Sequence, residues 1–423
     1  MATTTTTNQP RGSSNTPISA SRWRARRWRV WDLGTRAGGL LAVAAMASLA
    51  GCIAKPPATP ERDGQGASKN GVAAASAPTT GTGRAATSAS ANRASASGDA
   101  RTGRGRTQAL SSVERAELRE RAAEMLVRHA EGDDAATRAN AIEAMREAPE
   151  RFTGMIERAL GDSNEGVRAA AAMVAGWTSP TRYAPTLKTM KEDASPFVRA
   201  SVIFALAKGD RDTDPTPLGE LLLSHPSPRV RSHVALVLGE LGNQSAAGLL
   251  KQAARERIPR ASDVEMKAMQ LQIAEALIKL GEDEQVDTLR AALYPARPEE
   301  LELTALSVQI IGQVGDRGST GHLKNLAFQR DPGGRLMPAE VRLAIAASLL
   351  QLGVPEAVQI ADEYRASTLP AVRAQSAYVY GESRSAASLR ALASLMDDPS
   401  PLVQVYAARG VLKSSGDARP ASR

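Results

Sequence analysis

Cys52 is the only cysteine in the chain, so it has no intrachain disulfide partner. Four histidines, His129, His225, His233 and His322, remain as candidates for acid–base or metal chemistry. None stands at a metal-ligand spacing with a second histidine or a carboxylate. His225 and His233 come nearest to a pair. Asp331-Pro-Gly-Gly334 has the residues of a turn, not those of a phosphate cradle opening a helix. Aromatic residues make up 3% of the chain, too few for a base-stacking or sugar-binding platform. Nothing in this inventory combines a nucleophile with its base. The chain is therefore expected not to be an enzyme and to use neither cofactor nor metal.

The elements that would have to position a site are written as one phrase, repeated. Its clearest copy runs from Val230-Arg231 to Leu241-Gly242, and the copies begin at Thr137, Val167, Val198, Val230, Met269, Leu303, Val341, Val372 and Val403. The intervals are 30, 31, 32, 39, 34, 38, 31 and 31 residues, the period of a helical solenoid. Counted from the first residue as position 0, positions 0, 5, 8 and 11 are apolar or small and fall on one side of a helix. Gly242, Gly281, Gly315 and Gly353 stand at position 12, where a left-handed helix cap favours glycine. A second helical pattern precedes each copy, separated from it by turns such as Asp193-Ala-Ser-Pro196 and Asp397-Asp-Pro-Ser-Pro401. Each unit is thus helix, turn, helix, and only stacking buries its apolar stripe.

The phrase Asp-x-Ser-Pro-x-Val-Arg followed by Leu-Gly-x-Leu-Gly resembles the HEAT-repeat family, in the short bacterial form also named for phycobilisome lyase subunits. The resemblance spans about 111–416 and implies an all-α, right-handed α-solenoid of about nine HEAT-like helix pairs. It implies that arginines at position 1, here Arg138, Arg168, Arg199, Arg231, Arg342 and Arg373, pair with the turn aspartate of a neighbouring repeat in a stacked ladder. Asp162, Asp193 and Asp398 match that aspartate. An anion-binding stripe is the competing reading, and Gln270, Thr304 and Gln404 interrupt it. Some HEAT-like proteins are iron hydroxylases that use His-Glu dipeptides. This chain has no such dipeptide, and that activity is not expected of it.

The front of the chain reads differently. Arg22 to Arg36 is strongly basic, an apolar run follows over 37–50, and Leu49-Ala50-Gly51-Cys52 closes it. Basic start, short apolar run and small residues make a secretory leader over 1–51. The final tetrad resembles the bacterial lipobox, which implies a lipidated Cys52, carrying palmitate-class chains, as the new first residue. Ile53 at the next position implies the periplasmic face of the outer membrane in a host with two membranes. Residues 52–108 are rich in Ala, Ser, Gly and Thr and read as a disordered tether with a reach of roughly 40 Å. Residues 417–423 read as a flexible tail. The formal net charge of +8 belongs to the front: residues 109–423 hold 38 Lys and Arg against 41 Asp and Glu. A nucleic-acid partner inferred from the overall charge is therefore not expected.

Positions 3, 6 and 10 lie opposite the apolar stripe, so they are expected to face solvent. Position 6 is apolar in three consecutive copies, Met173, Phe204 and Leu236, and Trp177 holds position 10 of the first. This strip is the candidate partner surface, with Tyr378 and Tyr406 a smaller one. Insertions over 254–266 and 329–340 are expected within the intra-repeat turns, on one edge. The expected protein is a membrane-anchored lipoprotein of the cell envelope that presents a repeat scaffold to a protein partner, with an extended segment of an envelope protein as the candidate. The alternative is an enzyme-associated, lyase-like protein that positions a substrate or chromophore.

Overall fold

The computed structural model describes residues 110–415 apart from Pro332. These belong to one unit. The expected leader, Cys52, the tether and the tail over 417–423 lie outside the described residues.

Among the described residues, eighteen α-helices follow one another as nine pairs, and the one β feature is an isolated bridge between Arg330 and Leu336. The pairs are α1 (Ser112–Ala130) with α2 (Ala135–Ala144), α3 (Thr153–Leu160) with α4 (Glu165–Thr178), α5 (Pro180–Thr189) with α6 (Pro196–Gly209), and α7 (Thr216–Ser224) with α8 (Pro228–Leu241). Next come α9 (Ala247–Arg255) with α10 (Asp263–Lys279), α11 (Val286–Ala291) with α12 (Leu301–Val314), and α13 (Thr320–Phe328) with α14 (Ala339–Gln351). The last are α15 (Gln359–Tyr364) with α16 (Pro370–Ser383), and α17 (Ala386–Leu395) with α18 (Pro401–Ser415). The fold is an all-α solenoid.

Local chemistry sets these boundaries. Ser111 and Glu114 form a reciprocal capping box at α1, as do Ser262 and Glu265 at α10. Pro196, Pro228 and Pro370 open α6, α8 and α16, where the missing N–H costs no helical bond. Gly242, Gly281, Gly315 and Gly353 all adopt positive φ, which lets the chain leave each helix without a Cβ clash. The interval ending at Met269 is long partly because α10 starts six residues before that copy. Much of the 254–266 insertion is therefore helix rather than turn.

Even-numbered helices pack against one another in sequence, each backed by the odd-numbered helix of its pair. The last pair does not end the stack. Helix α18 packs against both α1 and α2, so the first pair follows the ninth as its next neighbour. Arg121 of α1 pairs with Asp397, His129 Nε2 meets Gln404 Oε1 at 2.7 Å, and Arg409 Nη2 meets Glu147 Oε1 at 3.0 Å. The solenoid closes on itself. At α16 and α18 the backbones nearly touch: a Cβ on Gly381 would lie 2.8 Å from the Cα of Gly410.

Packing between neighbouring pairs overturns the expectation that the candidate strip faces solvent, although Lys208, Gln313 and Gln351 at position 10 are exposed. Met173, Phe204 and Leu236 are 1%, 0% and 2% exposed. Trp177 is half-buried. In α6 every residue from Ala200 to Leu206 is buried, so the helix has no solvent face along that stretch. An even-numbered helix is covered by its partner behind and by neighbours on both flanks.

Candidate functional site

Two arrangements of polar groups are built by this fold, one at the turn edge and one on the inner faces. The edge carries the arginines of position 1. Arg138 Nε and Nη2 each donate to Asp162 at 3.0 Å, and Arg168 does the same to Asp193 at 2.9 Å. Arg373 holds Asp398 at 2.6 and 2.8 Å. In each case Nη1 is anchored on backbone carbonyls of its own turn, such as Asp162 O for Arg168 and Ser367 O for Arg373. The aspartate also accepts a backbone N–H two residues on, from Asn164, Ser195 or Ser400. Burial works against ionisation of Asp162 and Asp193. The bonds from Arg138 and Arg168 outweigh it and hold both carboxyls below their usual range.

The other three arginines depart from this pattern. Arg231 reaches Glu256 at 2.8 Å and His225 O at 2.7 Å. Arg342, 1% exposed, meets Glu363, the Tyr364 hydroxyl and Ala327 O. Arg199 makes only the backbone anchor, from Nη1 to Asp193 O at 2.7 Å and Ala194 O at 3.2 Å. At the ninth copy Gln404 replaces the arginine. Its Nε2 donates to Asp398 O, and its Oε1 meets His129 of the first pair, so the substitution that breaks the sequence pattern makes the closing rung.

Position 10 and its neighbours form the second arrangement, which sequence reasoning took for a solvated face. Trp177 Nε1 donates to Glu240 at 2.9 Å across two repeats, Lys279 joins Glu240 and Glu275 at 2.6 Å, and the Arg146 guanidinium lies 4.4 Å over the Trp177 ring. Phe204 meets Trp177 edge-on at 5.9 Å between centroids. Across the closure, Arg409 pairs with Glu147 and Glu382 and stacks 4.8 Å over Tyr378, while Lys413 bonds Glu382 at 2.5 Å. Tyr378 and Tyr406 do come together, 6.4 Å apart, but Tyr406 is buried, and its hydroxyl meets Asn140 at 3.4 Å.

Burial opposes the charge on Glu240 and Glu382, yet the lysine and arginine partners hold both carboxyls low. Glu143 is the exception: burial pushes it up to about 7 against the pull of Arg409 and Arg146. His233 is fully buried, with Nε2 at 2.9 Å from Ser201 Oγ, and burial brings it down to about 4. Ser201 donates to Phe197 O, so the neutral ring donates from Nε2. The apparent His225 and His233 pair is divided: one sits in a turn, the other inside α8. No group of three or more His, Cys, Asp or Glu that could hold a metal ion occurs among the described residues.

Within the 329–340 insertion Asp331 accepts the backbone N–H groups of Gly333 and Arg335 and the Arg335 side chain. Three large apolar residues are exposed at or beside the intra-pair turns of three consecutive pairs: Tyr294, Phe328 at the end of α13, and Leu369, at 60%, 63% and 56%. Sequence reasoning missed them, because they lie outside the periodic positions.

The family model for HEAT repeats matches residues 123–207, 185–261 and 215–308. No curated protein matches. Among solved structures, human deoxyhypusine hydroxylase in complex with glycerol is 20% identical, covering 63% of this chain and 96% of its own, with a TM-score of 0.32. An engineered protein is 16% identical, covering 73% and 97%, with a TM-score of 0.29.

Proposed function

We propose that the protein is a non-enzymatic interaction scaffold, anchored to a membrane through a lipidated Cys52 and working in a bacterial cell envelope, on the periplasmic face of the outer membrane where the host has two. HEAT repeats serve as protein-binding scaffolds, which supports the first half of the reading. Leu49-Ala50-Gly51-Cys52 after a short apolar run supports the second. One observation carries the choice of surface. The strip of Met173, Phe204 and Leu236 is buried and Trp177 is tied to Glu240, so we assign the partner to the turn edge instead. That edge bears the turn held by Asp331 and the exposed Tyr294, Phe328 and Leu369.

A photocrosslinking residue placed at Tyr294 or Phe328 should trap a protein partner in cells, while one at Phe204 should not. Equal trapping at all three sites would refute the edge. Cys52→Ser should abolish incorporation of labelled palmitate and release the protein from the membrane fraction. Continued labelling of the variant would refute the anchor.

A further inference from the structure

We infer that the turn edge contains a carboxylate-binding site at Arg199, in the cleft between the third and fourth helix pairs. The ladder is regular enough to show what is missing there. Three arginines at position 1 share one geometry: Nη1 on the carbonyls of their own turn, Nε and Nη2 presented as a fork to an aspartate five residues before the next copy. Arg199 has the same Nη1 anchor, on Asp193 O and Ala194 O. Its fork is therefore fixed in the same direction. The residue five before the next copy, Val230, is His225 rather than aspartate. No carboxylate among the described residues meets the Arg199 fork.

His225 takes over only half of the aspartate's role. Its Nδ1 accepts the Ser227 N–H at 3.2 Å, as Asp193 accepts that of Ser195. An Nδ1 that accepts leaves the proton of the neutral ring on Nε2, as a further donor. Arg199 and His225 line a cleft of about 570 Å³, with Ile203, Leu221, Pro217 and Pro226 as apolar wall. The fork, the imidazole donor and the apolar wall match a carboxylate carried on methylenes. Lys191 also lines the cleft, with Glu192, Asp214 and Glu220, and the three carboxylates oppose a dianion such as phosphate more than a singly charged carboxylate. The inference rests on the scaffold reading for one step only, that the carboxylate is an acidic side chain of a partner protein.

The test uses the full chain and follows the His225 ring and Arg199 Nε–H signals by NMR. Acetate at constant ionic strength should shift both saturably, while chloride should not. Phosphate should bind at least tenfold more weakly than acetate. An end-blocked peptide of Glu and Leu should bind at least tenfold more tightly. His225→Asp should refill the rung, raise the melting temperature and abolish the acetate response, so loss of binding is then read on a chain more stable than the wild type. Arg199→Lys should lose at least tenfold in acetate affinity. An absent acetate response, an unchanged one in His225→Asp, or tighter phosphate binding would each overturn the site and leave the scaffold reading untouched. A peptide no tighter than acetate would overturn the partner chemistry alone.

Discussion

Phe204 shows how a side chain can be read correctly as one of a row and wrongly in its surroundings. Its periodicity placed it opposite Val198, which holds, and the inference that opposite means solvated fails because that face meets Trp177 instead. Phe204→Ala should cost about 3–5 kcal/mol in a denaturant titration, the range for emptying a fully buried aromatic site. Trp177→Ser should cost less in packing, since Trp177 is half-buried, but it also removes the Glu240 bond. Glu143 gives a pH-dependent counterpart. Its folded pKa of about 7 lies above the ordinary glutamate value, so the native state holds the proton more tightly than the unfolded chain. The stability that proton supplies is complete below about pH 4.5 and is lost as pH rises through 7. Glu143→Gln should therefore match the wild type near pH 4 and exceed it at pH 8 by at most ~3 kcal/mol, since each tenfold difference in proton affinity is worth ~1.4 kcal/mol. A variant no more stable than wild type at pH 8 would show that Arg409 and Arg146 compensate the charge fully.

At the scale of elements, the helix pairs were legible because their signals are local. The apolar spacing, Pro at the first turn and Gly after the last are read within a dozen residues, and the nine copies fall on the nine even-numbered helices. The ladder was legible through resemblance, and its exceptions were not: Arg231 keeps the 25-residue spacing but meets a glutamate, while Arg342 and Gln404 find partners at other spacings. The inner ion pairs were hidden for a different reason. Polar residues at position 10 look the same in sequence whether they face water or each other. Arg409 joins α18 to the first pair and to α16, so it tests whether those pairs matter. Arg409→Ala leaves Glu147 and Glu382 with less positive charge in a buried setting, and should cost about 3–5 kcal/mol. Arg409→Lys should recover part of that, and equal unfolding midpoints for the two variants would assign the loss to packing over Tyr378 rather than to charge.

Closure belongs to the whole molecule and could not be read from any copy. Nine pairs return to their start when the average rotation per pair is about 40°, and that angle sums small packing differences along the array. Helix α1 carries a charged face, yet Leu118, Ala122, Met125 and Leu126 are buried and Arg121 pairs with Asp397. The consequence is measurable. In an open solenoid each repeat feels only its neighbours in sequence, so removing the ninth pair leaves the first unchanged. In the closed one, the ninth pair is the first pair's neighbour. A chain ending after Arg384 lacks α17 and α18, and should lose hydrogen-exchange protection in two places. One is α16, the neighbour in sequence. The other is α1, whose amides between Leu118 and Ala130 should exchange at least tenfold faster. Helices α8 and α10 lie far from the cut by either route and should keep their protection. Unchanged exchange in α1 beside faster exchange in α16 would mean that the molecule in solution behaves as an open array, with the contacts of His129, Asn140 and Glu147 to α18 too weak to couple its ends.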